Sequence, residues 1–280
     1  MTAEGFYQLL HYTIPVPRLW GIFHITVLCV AIAGGALIIH YGKNITKKQL
    51  HWFLGLSACI YIVLEIYKQF IIQFVLVDGA LVLQLQWYSL PVFFCSLPIY
   101  LLPIAVIAKK DSVADSALSF LAIYGTVAAL VVLAYPEPVF FKELGLTLQT
   151  MTVHTIMLLD GIMIMMYKRE ELTLRFFRRG VATFFILVAV AISLSVVVHL
   201  AGVVAPGDRF YPMQISPFYL TPLPVLRTLQ ENVPYPLFLA SYCTIFTCGG
   251  ALFYQGQRLF VRWVDRRASN PVFTKPQIKT

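Results

Sequence analysis

Seven stretches of this sequence are apolar for about as long as a helix must be to cross hydrocarbon, roughly 20 residues. They run over about 19–41, 50–71, 91–108, 112–134, 149–167, 180–204 and 234–255. Little sequence is left to build a water-soluble surface. Of the 280 residues, 59% are hydrophobic and only 12% charged, about half the charged share of a soluble globular protein. An ordinary soluble enzyme and a disordered chain are both excluded. The expected fold is all-α: a polytopic transmembrane helix bundle of about seven spans. Residues 1–280 form a single membrane domain, with 256–280 as a basic cytosolic tail. The expected location is integral and multi-pass, in the cell membrane if the source is bacterial.

The basic residues assign sides. Lys43, Lys47 and Lys48 follow the first span, and Lys109 and Lys110 the third. Lys168, Arg169, Arg175, Arg178 and Arg179 follow the fifth, and six more lie in the tail. Alternation across seven spans therefore puts sixteen Lys and Arg on one side and five on the other. This predicts an outside N-terminus and a cytosolic C-terminus. The first apolar run is too long for a signal-peptide core and reads as a retained span. A net charge of +8 in loops between spans points to anionic lipid at the cytosolic face. No basic run interleaved with aromatics suggests nucleic acid.

Residues 72–90 remain apolar and either extend the second span or lie on the membrane surface. The segment 205–233 carries five prolines with Phe210, Tyr211, Phe218 and Tyr219. It reads as an irregular outer cap, since so many prolines break a helix.

Ionisable groups inside a span are costly and mark candidate sites. Here they are His24, Glu65, Cys95, His154, Asp160 and His199. At about 1.5 Å per residue, Cys95 lies roughly 6 Å and His154 roughly 8 Å from the outer face. His24 has a similar depth, and Glu65 and His199 lie near the outer ends of their spans. Five of the six thus collect in the outer third. Asp160 lies near the midplane, on a different face from His154. Glu65 and Lys68 are three residues apart and can pair along one helix face.

Cys95 follows Pro91 by four residues, and proline favours the first helical position. A thiol near a helix N-terminus feels the positive end of the dipole, which favours thiolate. A histidine at the same depth can serve as its base. Cys29, Cys59, Cys243 and Cys248 read as packing residues. The odd number of cysteines argues against a disulfide framework. No metal-ligand spacing appears, and no metal or soluble cofactor is expected.

The stretch Trp87-Tyr88-Ser89-Leu90-Pro91-Val92-Phe93-Phe94-Cys95-Ser96-Leu97-Pro98 resembles the Leu-Pro-x-x-x-Cys signature of the YwaF / transmembrane protein 164 family. His154, 59 residues after Cys95, matches the family's helical histidine. Ser216-Pro217-Phe218-Tyr219 with Pro222, and Pro234-Tyr235-Pro236, are also similar to it. The resemblance covers most of the chain from the second span to the seventh. It implies acyl transfer onto lysophospholipids, with Cys95 as nucleophile and His154 as its base. Glu65, His199 or His24 then orient that histidine. The implied partners are membrane lipids, a phospholipid or lysophospholipid substrate.

Three other functions stay open. A transporter or channel would use Asp160, Glu65 and the histidines as a polar pathway. No internal repeat supports it. A seven-helix sensor matches the span count by analogy alone. The last span holds no lysine for a retinal Schiff base, and the third ends without an Asp-Arg-Tyr signature. The remaining alternative is a structural membrane protein without turnover.

Overall fold

The structure, a computed structural model, describes residues 2–86, 89–201 and 224–269. Its helices are α1 (Ala3–Leu10), α2 (Ile22–Tyr41), α3 (Lys47–Gln73), α4 (Pro98–Ile107), α5 (Asp111–Phe120) and α6 (Thr126–Ala134). They continue with α7 (Leu144–Tyr167), α8 (Leu174–Leu200), α9 (Pro224–Asn232) and α10 (Tyr235–Ser269). A π-helical turn, Leu121–Gly125, joins α5 to α6 into one continuous rod. Six helical rods are long and apolar enough to cross a membrane: α2, α3, α5–α6, α7, α8 and α10. A seventh, Phe94–Ile107, is shorter and reaches roughly 21 Å.

α7 is the axis of the bundle: α2, α3 and α6 all pack on it. α4 lies between α3 and α5, and α8 and α10 follow beyond α5. Small residues permit the closest approaches. Gly34 and Gly35 face Leu159 and Ile162, and Gly161 faces Thr126, where a Cβ has no room. The main core is apolar and aromatic, with Phe94, Phe120, Tyr124, Phe184 and Tyr242 inside it. Exposed leucine, isoleucine and valine cover the outer faces of the rods, as lipid contact requires.

α3 starts where a capping box forms. The Gln49 N–H donates to Thr46 Oγ1, and the Thr46 N–H donates to Gln49 Oε1. At about 1.5 Å per residue its 27 residues span about 40 Å. It ends by turning into a β-hairpin, β1 (Phe74–Val77) and β2 (Ala80–Leu83). The hairpin and an isolated bridge between Thr13 and Glu143 depart from an all-α fold. Asp78 and Gly79 both adopt positive φ, the conformation of a two-residue primed turn that favours Asp-Gly. α1 packs against β2, and Phe6 meets Phe70 edge-on. Residues 12–14 hydrogen-bond to residues 142–144 at the start of α7. These elements cap one end of the bundle, the hairpin end. Lys109, Lys110, Lys168 and Arg169 mark the opposite, basic end.

Besides the hairpin, several details differ from the sequence expectation; α10, for one, runs to Ser269, well past the expected 255. Pro91 does not open a helix. It lies in a turn, and Pro98 takes the first position of α4. α7 begins at Leu144, five residues before the expected 149. The end of the proline-rich segment folds as α9, because Pro224 stands at the tolerated first position and no proline follows within it. Residues 202–223, most of the expected cap, lie outside the described residues. So do Trp87, Tyr88 and the tail from residue 270.

Candidate functional site

α3 carries a polar stripe. Ser57, Tyr61, Glu65 and Gln69 recur every four residues, so they share one face, and Lys68 lies beside Glu65. The stripe turns toward α7 and the chain leading into α4. Ser57 Oγ donates to Asp160 Oδ1 at 2.7 Å. One turn on, the Tyr61 hydroxyl donates to the Val153 carbonyl at 3.0 Å. Ser57, Tyr61 and Asp160 are all buried. Asp160 Oδ2 is buried without a partner.

Nearer the hairpin, Lys68 Nζ lies 2.6 Å from Glu65 Oε1, and both side chains are largely buried. Gln69 Nε2 donates to the same Glu65 oxygen at 2.7 Å and also to the Ser89 carbonyl. Gln73 Nε2 donates to Ser89 Oγ at 2.6 Å, and the Gln86 N–H donates to Gln73 Oε1 at 2.6 Å. Two glutamines of α3 thus hold Gln86 and Ser89, in the segment that leads toward Cys95. Gln73 is buried and Gln69 half-buried, and their partners lie mostly within this network, as burial demands.

Cys95 sits in the single 3-10 turn Phe94–Ser96 that precedes α4. It is half-buried and free, and its turn packs on α7. Its neighbour Phe94 is wedged among aromatics, with ring centroids 5.6 Å from Phe120 and 5.7 Å from Phe246. The sulfur is within electrostatic reach of Glu65 and Lys68. Tyr61 lies within reach of both Cys95 and Asp160.

His154 is buried on α7, one residue past the carbonyl that Tyr61 holds. A carbonyl only accepts, so the 2.7 Å contact between His154 Nδ1 and the Thr150 carbonyl is an Nδ1–H donation. In the neutral ring the lone pair is then on Nε2, the nitrogen a general base needs. No hydrogen bond joins Cys95 to His154 among the described residues. His24 is different. Its Nδ1 accepts from the Trp20 N–H at 3.1 Å, and its Nε2 donates to the Leu133 carbonyl at 2.8 Å. Nε2 ties α2 to α6 and Nδ1 holds the turn that leads into α2, so neither nitrogen is left to orient another histidine. His199 lies on α8, but its side chain is outside the described residues. Gln69 and Ser89 were not singled out from sequence, and Lys68 only as a partner for Glu65. The i,i+4 polar rhythm along α3 was the available signal.

Other polar features lie away from Cys95. A surface cleft lined by Gly42, Met166, Tyr167, Arg169 and Glu171 opens at the basic end, about 18 Å along α7 from His154. No group of three or more His, Cys, Asp or Glu that could hold a metal is present among the described residues.

A family model described as the TMEM164 family matches residues 19–254. No curated protein and no solved structure matches the chain.

Proposed function

From the premise that this chain belongs to the TMEM164 family of multi-pass membrane proteins, we propose that it is a lipid acyltransferase whose nucleophile is Cys95 and whose base is His154. Kinship with the YwaF branch, seven spans counting the short α4 rod, an outside N-terminus and a cytosolic basic end belong to the same proposal. Arg258, Arg262 and Arg266, spaced at i,i+4 along α10, then meet anionic lipid at the cytosolic face.

One observation carries the proposal. The turn bearing the half-buried Cys95 packs on α7, and His154 of α7 keeps Nδ1 engaged and Nε2 as the acceptor. The chemistry has two steps. His154 Nε2 takes the thiol proton, and the sulfur attacks the acyl carbonyl carbon of a phospholipid. The ester C–O bond breaks, and the lysophospholipid oxygen takes the proton from His154. A thioester on Cys95 results. The hydroxyl of an acceptor lysophospholipid then gives its proton to Nε2 and attacks the thioester. The C–S bond breaks, and the sulfur recovers the proton.

The test uses the full chain in nanodiscs with a phospholipid bearing an alkynyl acyl chain. A hydroxylamine-sensitive acyl label is expected on the protein, absent in Cys95→Ala and strongly reduced in His154→Ala. A label that survives Cys95→Ala overturns the assignment.

A second reading draws on Asp160. Its buried, unpartnered oxygen and the α3 stripe support a polar pathway through the bundle. Proton or solute flux in liposomes that is abolished by Asp160→Asn would establish it in place of acyl transfer.

A further inference from the structure

The Glu65–Lys68 pair is hard to explain as a structural tie. Both residues are on α3, three apart, so the pair joins no two elements. An i,i+3 pair stabilises a helix by only about 0.2–0.5 kcal/mol, while burying charge is costly. Its placement is more informative. Both charges are in electrostatic reach of the Cys95 sulfur, and the Lys68 ammonium stands 5.6 Å from the ring centroid of Phe93, two residues before it.

The two charges are not equally satisfied. Glu65 Oε1 receives both Lys68 Nζ and Gln69 Nε2. Lys68 has three N–H donors, and its bond to Glu65 uses one. The carboxylate is thus anchored twice, and the ammonium, which stands over the Phe93 ring, retains donor capacity. The network of Gln69, Gln73 and Ser89 fixes the start of the turn segment that carries Phe93 and Cys95.

We infer that Lys68, held by Glu65, is a positioning cation for Cys95: it stabilises the thiolate that His154 generates. The inference rests on the acyltransferase reading for the purpose of that thiolate, but its test does not need an acyl substrate. Other titratable groups stand on the elements packed around the Cys95 turn, and of these Tyr61 is within electrostatic reach of the sulfur. α3 supplies Tyr61 beside Glu65 and Lys68, α7 supplies His154 with Asp160 beyond Tyr61, and α4 supplies Tyr100, within reach of Glu65. α5 and α10 meet the adjacent Phe94 with Phe120 and Phe246, neither of which titrates. Lys68 is therefore the one permanent cation in this set. Its removal and the removal of Glu65 must act with opposite sign.

The experiment alkylates Cys95 in nanodiscs with a small neutral maleimide between about pH 6 and 10, the interval in which an ordinary thiol ionises. The protein retains Cys95 and carries Ser at Cys29, Cys59, Cys243 and Cys248. Lys68→Met is expected to slow alkylation at neutral pH about tenfold and to move the rate profile to higher pH, the effect of losing one close opposite charge. Lys68→Arg is expected to restore most of the rate. Glu65→Gln is expected to react at least as fast as the parent. An unchanged profile in Lys68→Met overturns the inference. So does Glu65→Gln slowing the reaction as much as Lys68→Met, which would make the pair a packing unit. If Lys68→Met does not fold, Lys68→Arg and Glu65→Gln still decide the sign. Loss of the acyl label with this charge dependence intact sinks the acyltransferase reading alone. An intact acyl label without the charge dependence sinks this inference alone.

Discussion

Buried charge collects at both ends of the bundle, and the two clusters are built differently. At the basic end, Lys168 lies 2.9 Å from Asp115 and 2.8 Å from Glu171, and Arg179 pairs with the same Asp115. The cluster joins the start of α5, the end of α7 and the start of α8. Each cation has a carboxylate from another element, so the charges hold the fold. At the hairpin end, Glu65 and Lys68 belong to one helix and face Cys95. The contrast teaches where to look for function. A buried ion cluster that staples several helices explains itself, whereas a buried ion pair formed within one helix asks for another role. The two buried histidines repeat the lesson. His24 spends one nitrogen on a link from α2 to α6 and the other on the turn before α2, and His154 spends one on its own helix.

The largest expected effect breaks the basic cluster. Asp115→Ala leaves Lys168, itself buried, with a single partner and removes the carboxylate of Arg179. Breaking a buried pair on one side costs about 3 kcal/mol, so a drop of several degrees in the detergent melting temperature is expected. An unchanged melting temperature would remove the contrast between the clusters. The pH dependence has a definite sign. Burial alone lowers the Lys168 pKa, but hydrogen bonds and charges from Glu171 and Asp115 outweigh it and raise it above 10.5. A raised folded-state value gives stability that is complete below the unfolded value and is lost as pH rises through the folded one. The contribution of Lys168 to the melting temperature should therefore be level from about pH 8 to 10 and fade only above about 10.5.

The histidines give the next effect. His24→Ala strands the Trp20 N–H and the Leu133 carbonyl and leaves a buried hole, at about 2 kcal/mol. Alkylation of Cys95 should be untouched. His154→Ala should reverse the pattern. The Thr150 carbonyl keeps its helical N–H, so stability changes less, while acyl labelling falls. Melting curves and labelling on the same two samples check both halves. Equal effects on stability and labelling would erase the distinction between a structural and a working histidine.

Much of this contrast was legible from sequence, and the misses have physical causes. Long apolar runs set the helical rods, because nothing else satisfies backbone groups in hydrocarbon. Glu65, His154 and Asp160 stood out through the cost of burying them. The hairpin was missed because its residues are apolar on both faces, which hides the period of two. Only Asp78-Gly79 marked the turn. The role of His24 was invisible because its partners are backbone groups of Trp20 and Leu133, and any sequence offers those. The π-turn was missed for a similar reason. Its irregular Ala122 carbonyl is satisfied by Thr126 Oγ1 at 2.7 Å and by the distant Gln257 Nε2 at 2.6 Å. Lys68 was read only as a partner for Glu65, since sequence spacing shows the pair but not the thiol beside it.

A smaller effect tests the deep end of the α3 stripe. Ser57→Ala takes from Asp160 its hydrogen-bond partner in a buried site, with a cost of about 1 kcal/mol. Tyr61 should retain its link to Val153, so α3 and α7 stay docked and the acyl label persists. Collapse of both stability and label would instead make the stripe one cooperative unit.

The smallest expected effect on stability is the sharpest. The double variant Glu65→Gln/Lys68→Met keeps the shapes of both side chains and removes both charges. No lone charge is left buried, so the penalty seen for Asp115→Ala does not arise. The lost attraction is that of an i,i+3 pair, about 0.5 kcal/mol or less, and the charges no longer need to be desolvated. The melting temperature should stay within about two degrees of the parent, while the rate of Cys95 alkylation falls, though less than in Lys68→Met because the opposing Glu65 charge is removed too. That outcome would show a pair the fold can spare and the thiol cannot. A fall as steep as that of Asp115→Ala would show instead that both clusters are structural, and the difference between the two ends of the molecule would vanish.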